Sequence, residues 1–218
     1  MRVTHPSAVR LGTVPPVSDT STTAAFADLR DAALGCTRCR LAEGRTQVVF
    51  GTGDPTADLV FVVEGPGAQE DEQGLPFVGR SGQLLDRLVL EVMGLTRDAF
   101  YIANVVKCRP PDNRDPRPDE IAACRPWLEQ QIDLIAPRVI VTLGNFSSRL
   151  LLDTSDGITK LRGSAYPYRE NPDGTVVQLV PTFHPAAVLR GGGEAMAKMR
   201  SDLVRAKHLM GDRTGARR

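Results

Sequence analysis

The chain has 218 residues, of which 41% are hydrophobic and 24% charged, the composition of one globular domain with a proper core. No apolar run approaches the ~20 residues of a membrane span, because Leu59–Val63 and Val139–Leu143 have the length of strands. The net charge of +1 conceals an asymmetry: residues 1–100 hold 9 Lys/Arg against 13 Asp/Glu, net −4, and residues 101–218 hold 18 against 13, net +5. A one-sided field of that size suits an anionic partner touched over part of the surface, although composition alone also produces such a split.

Residues 1–23 are rich in Pro, Ser and Thr without apolar periodicity and read as a flexible leader. They lack the apolar stretch of a signal peptide, so a cytoplasmic protein without membrane attachment is expected. The domain proper is expected over 24–210, and 211–218 as a basic tail.

Asp58–Glu64 is a nearly continuous apolar run, the mark of a strand buried on both faces. Ser81–Met93 carries a helical stripe at Leu84, Leu85, Leu88, Val89 and Val92. Phe100–Val106 is the next strand. Pro118–Ile135 is a helix opened by Pro-Asp-Glu and kinked or interrupted near Pro126. Val139–Gly144 is a strand, Asn145–Leu152 a helix, Val176–Phe183 a strand and Ala195–Met210 a closing helix. This alternation predicts a three-layer α/β/α sandwich around a mostly parallel four-stranded sheet.

Ligands of such sheets bind outside the carboxyl ends of the strands. The first strand runs into Glu64-Gly65-Pro66-Gly67-Ala68-Gln69-Glu70-Asp71, a tight turn that brings backbone and carboxylates around one hollow. Gly74-Leu75-Pro76-Phe77-Val78-Gly79 follows, with Phe77 either a core ring or a stacking platform. Asn104 interrupts an apolar strand, and its amide sets a donor beside an acceptor, as a nucleobase edge does. Of the three histidines, only His184 sits at a strand's carboxyl end, before a proline turn. Glu64, Asn104 and His184 are therefore expected to converge as an active site.

Cys36 and Cys39 are spaced to reach one metal, and Cys108 and Cys124 lie on either side of a loop and half a helix. A cytosolic chain disfavours disulfides. The spacing by itself leaves a zinc site and a 4Fe–4S cluster both open.

Taken together, the Glu-Gly-Pro-Gly-x-x-Glu-Asp turn, the Gly-x-Pro-Phe-Val-Gly segment, the run from Asn104 through Lys107-Cys108-Arg109-Pro110-Pro111 to Asn113-Arg114, the His184-Pro185 pair and the four cysteines resemble family 4 uracil-DNA glycosylases over about residues 29–210. The resemblance implies the glycosylase fold and excision of uracil from single- or double-stranded DNA to leave an abasic site; a monomer is expected, although the sequence itself leaves oligomeric state open. It also implies a 4Fe–4S cluster on Cys36, Cys39, Cys108 and Cys124. It gives Phe77 the stacking role, Asn104 the Watson–Crick edge, and His184 donation to O2 of the leaving base. Gly65, Pro66 and Gly67, with Glu64 and Glu70, then form the wall that holds base and attacking water, Glu70 being the first candidate to activate it and Glu64 the second. Val63 departs from the family pattern, which has Gly there.

The base must leave the stack before it is cut. Val188 and Leu189 are expected as an apolar wedge with Arg190 on a phosphate, and Lys107, Arg109, Arg114 and Arg117 along the DNA backbone. Two rivals remain. One is a covalently DNA-linking relative, which needs a histidine that Asp153–Gly163 lacks. The other is a non-catalytic iron–sulfur DNA-binding module.

Overall fold

The computed structural model describes residues 19–211; the first eighteen residues of the expected leader, and the tail from residue 212, lie outside the described residues. In chain order the elements are α1 (Asp19–Leu34), α2 (Leu41–Gly44), β1 (Gly51–Gly53), β2 (Leu59–Val63), α3 (Ala68–Gln73), α4 (Arg80–Met93), β3 (Tyr101–Asn104), α5 (Pro118–Ile135), β4 (Val139–Leu143), α6 (Asn145–Leu152), α7 (Ile158–Leu161), β5 (Tyr166–Glu170), β6 (Val176–Thr182) and α8 (Pro185–Met210). The sheet order is β1-β3-β2-β4-β6-β5, with six strands. Its four central strands are the expected parallel ones, and β1 and β5 add antiparallel edges.

The alternating side chains of the central strands are buried on both faces. Leu59, Phe61 and Val63 of β2 join Val139 and Val141 of β4 in a core closed by α4 and α8, while Val60, Val62 and Ile140 join the opposite core under α1 and α5. That two-sided burial is why these strands read as unbroken apolar runs. The chain leaves β2 for β3 on one side and later returns to β4 on the other. The crevice at this reversal opens at the carboxyl end of β2.

Several expectations need correction. α1 begins at Asp19, five residues inside the segment expected to be leader, and buries Phe26, Leu29 and Ala33. The sheet has two strands more than the expected four, and neither shows a clean apolar alternation: β1 is Gly-Thr-Gly, and β5 carries Pro167 beside a register irregularity, as edge strands tolerate. α5 continues as one helix through Pro126. The expected closing helix is the second part of α8, and a first part from Pro185 precedes it, the two meeting at Gly192, where φ is 66°. Among the described residues no helix is long and apolar enough to cross a membrane.

Candidate active site

A cavity of about 290 Å³ opens at the carboxyl ends of β2, β3 and β6, and Glu64, Gly65, Pro66, Gly67, Glu70, Phe77, Asn104 and His184 all line it. This is the small end of ligand pockets, ~300–1,000 Å³. Every residue expected to hold the base is thus brought to one hollow from four separate segments. Val63 also borders it, is only 4% exposed and belongs to the same core cluster as Phe77.

His184 ends the β6 segment and caps α8: its Nδ1 accepts from the Ala186 backbone N–H at 3.1 Å. With the Nδ1 lone pair engaged, the neutral ring carries its proton on Nε2 and is a donor there. Burial, then the nearby Arg190 charge, pushes its pKa down to about 4. Phe77 stacks beside this ring, with centroids 5.6 Å apart and planes at 25°. Phe77 holds a left-handed φ of 57°, uncommon for a bulky side chain and a sign of imposed position. The close approach depends on Gly82 in α4, where an added Cβ would lie 1.8 Å from the Phe77 carbonyl oxygen.

Asn104 ends β3 almost fully buried, and its Nδ2 donates to the Val49 carbonyl at 3.2 Å. The second N–H and the amide oxygen remain for the cavity. Gly65 has no room for a side chain, because a Cβ there would sit 2.8 Å from Val106 Cγ2. Glu70 is held by the Val78 backbone N–H, which donates to Oε1 at 3.2 Å. Glu64 is half-buried, and its carboxyl is pushed up to about 7 by burial and then by the charge and hydrogen bond of Asp115.

The family profile of the uracil DNA glycosylase superfamily matches residues 50–206. A type-4 uracil-DNA glycosylase of Sulfurisphaera tokodaii is 46% identical over 165 residues, 74% of this chain and 74% of the relative. One of Thermotoga maritima is 44% identical over 174 residues, 79% of this chain and 88% of the relative. The chain belongs to the type-4 uracil-DNA glycosylase family. A type-5 uracil-DNA glycosylase of Thermus thermophilus is more distant, 35% identical over 136 residues that cover 56% of this chain.

Ser81, Pro110, Asn113 and Arg114 also line the cavity, and the sequence reading assigns none of them to it. Arg114 had been read as a backbone contact, but its guanidinium forks onto the buried Glu120 at 2.6 and 2.8 Å; Arg109 Nε donates to Asn113 Oδ1 at 2.8 Å and so steadies another lining residue. Asp115 carried no signal, since one Asp in a Pro- and Arg-rich loop is ordinary.

Two expected DNA contacts are overturned. Lys107 is 2% exposed, with its ammonium turned to the interior; burial pushes its pKa down to about 8 against the pull of Cys124 and Cys108. Val188 is 1% exposed and belongs to the core, so no wedge includes it. Leu189 and Arg190 are exposed. Asp71 does not line the hollow either: it is buried and accepts from the Thr46 and Gln47 backbone.

Cys36, Cys39, Cys108 and Cys124 are all free thiols that line one small hollow with Arg45, Lys107 and Trp127. Three of the sulfurs accept N–H groups: Cys36 from Trp127 Nε1 at 3.3 Å, Cys124 from the Lys107 backbone at 3.2 Å, and Cys108 from Arg45 at 3.3 Å. Among the described residues no group of three or more His, Cys, Asp or Glu is disposed to hold a metal ion. Four thiols with N–H donors aimed at them nevertheless suit the ligand set of an iron–sulfur cluster, where such bonds favour the thiolate.

Proposed function

We propose that this chain hydrolyses the N-glycosidic bond of deoxyuridine in DNA, releasing uracil and leaving an abasic site. The carrying observation is the convergence of Asn104, Phe77 and a donor His184 on one small cavity. Asn104 Oδ1 is suited to accept the N3–H of uracil and its free N–H to donate to O4. Phe77 offers the face on which the flipped ring stacks. Cleavage builds negative charge on the base, and the Nε2–H of a neutral imidazole stabilises it at O2 where it forms. A neutral donor performs this without delivering a full proton.

Glu64 and Glu70 face the sugar side of the reaction. Glu64, whose carboxyl lies near neutrality, is matched to taking a proton from water, and we reverse the sequence-based ranking to put it ahead of Glu70. Glu70, fixed by the Val78 N–H, positions the water and favours the positively charged sugar. Gly65 cannot supply a carboxylate of its own without displacing Val106. Leu189 and Arg190 remain candidates for the wedge and the phosphate contact.

The four cysteines are assigned as ligands of a 4Fe–4S cluster. When bound, the group supplies a rigid cross-link between the segment after α1, the loop after β3 and α5. Cysteines used as cluster ligands rather than in disulfides suit a reducing, cytoplasmic setting.

Incubation with a labelled uracil-containing oligonucleotide tests the activity. The expected result is free uracil and an alkali-sensitive strand, with cytosine- and thymine-containing controls intact. DNA that is bound but uncut by iron-loaded protein would instead support the non-catalytic DNA-binding module.

A further inference from the structure

Lys107 has no solvent to face, yet it makes more polar attachments than any surface lysine needs. Its Nζ donates to the Asn104 carbonyl at 2.8 Å and to Gln131 Oε1, and lies 5.6 Å from the centre of the Phe50 ring. Gln131 in turn donates to the Phe50 carbonyl and the Tyr101 hydroxyl, at 3.0 and 3.1 Å. At the backbone, the Lys107 N–H sits on Cys124 Sγ, and its carbonyl accepts from the Val49 N–H at 2.8 Å.

These bonds close a circuit. Val49, pinned by the Lys107 carbonyl, presents its own carbonyl to the amide of Asn104. A carbonyl only accepts, so the amide must turn its nitrogen toward Val49, and Oδ1 takes the remaining side. The main chain of Asn104 is meanwhile held by the Lys107 ammonium. The acceptor so fixed pairs with uracil, which carries a hydrogen at N3; cytosine carries none there. The lysine side chain therefore holds the main chain of the base-reading residue, while the main chain of the same position, through Val49, orients its amide. A buried network of this kind works only when fully satisfied.

We propose that Lys107 is a positioning residue: its ammonium fixes the main chain of Asn104, whose amide is oriented through Val49, and its own backbone joins both to Cys124, so that reading the base depends on the integrity of the four-cysteine site. The inference rests on the uracil-excision reading above.

Lys107→Met, close in length and without the donor, is the direct test. Iron and acid-labile sulfide per chain report the cysteine site; inhibition by free uracil, the kcat-against-KM split and the rates on uracil- and cytosine-containing oligonucleotides report Asn104. At wild-type iron content, uracil inhibition should weaken about tenfold, as for loss of one buried charged hydrogen bond. KM should rise more than kcat falls, and preference for uracil over cytosine should drop. Lys107→Gln, which keeps a shorter donor, should lie between. A loaded Lys107→Met protein that binds uracil and rejects cytosine like wild type would overturn the proposal. So would failure of both variants to fold or load, which would make the lysine purely structural. Wild type run in parallel separates the levels: if it neither cuts nor binds uracil, the excision reading falls first and takes this inference with it.

Discussion

His184 spends its Nδ1 lone pair on the Ala186 N–H, and that local bond decides its chemistry by leaving Nε2–H as the donor. Because its folded pKa lies at about 4, below the ordinary 6.5, it contributes stability that is present above the ordinary value and lost as pH falls through about 4. NMR titration of the imidazole should find it neutral throughout the neutral range; a midpoint at or above its ordinary value would contradict the assignment. Glu64 has the opposite sign. Its folded pKa is raised to about 7 from 4.5, so its stabilising contribution is present below 4.5 and lost as pH rises through about 7. The reaction needs the carboxylate, so the single-turnover rate should climb through that same window. Asp115→Asn removes the neighbouring charge and should move the rising limb to lower pH. An unmoved limb would exclude Asp115 from the site's electrostatics.

At the scale of elements, His184 is held by a knot beneath the end of β6. Asp202 of α8 is 1% exposed and accepts from Thr182 Oγ1 at 2.7 Å, from the Arg162 guanidinium at 2.8 and 3.0 Å and from the Gly163 N–H at 3.1 Å. Removing one partner of a buried ion pair strands the other, so Asp202→Ala should cost about 3–5 kcal/mol in denaturant unfolding; a loss within ~0.5 kcal/mol, the range of a surface substitution, would mean the knot is dispensable. The central strands were legible because two-faced burial writes itself as an apolar run, as in β2 and β4. β1 was hidden because Gly-Thr-Gly has no pattern, and β5 because Pro167 speaks against a strand. The first part of α8 was hidden because Gly191-Gly192-Gly193 interrupts the pattern, and Gly192 does break the helical backbone there.

Across the whole molecule, the strand-end rule located the cavity, and the eight residues expected around the base do line it. What escaped were consequences of three-dimensional pairing. Lys107 looks like a DNA contact in sequence because lysine is usually exposed; only the fold shows that Asn104, Gln131 and Cys124 surround it. Val188 and Leu189 are neighbours in sequence, but one lies in the core and the other is 43% exposed. Arg114 lines the cavity while anchored on the buried Glu120, and Asp115 acts on the site through Glu64. The account as a whole turns on His184 acting as a donor to a departing uracil in this cavity. Single-turnover excision from a uracil-containing oligonucleotide by wild type and by His184→Ala, each at full iron content, tests that claim most directly. The predicted result is efficient excision by wild type and a rate lower by about 10²–10³ in the variant, the scale for loss of one donor to a developing anion. A variant that excises uracil as fast as wild type would contradict the account at its centre.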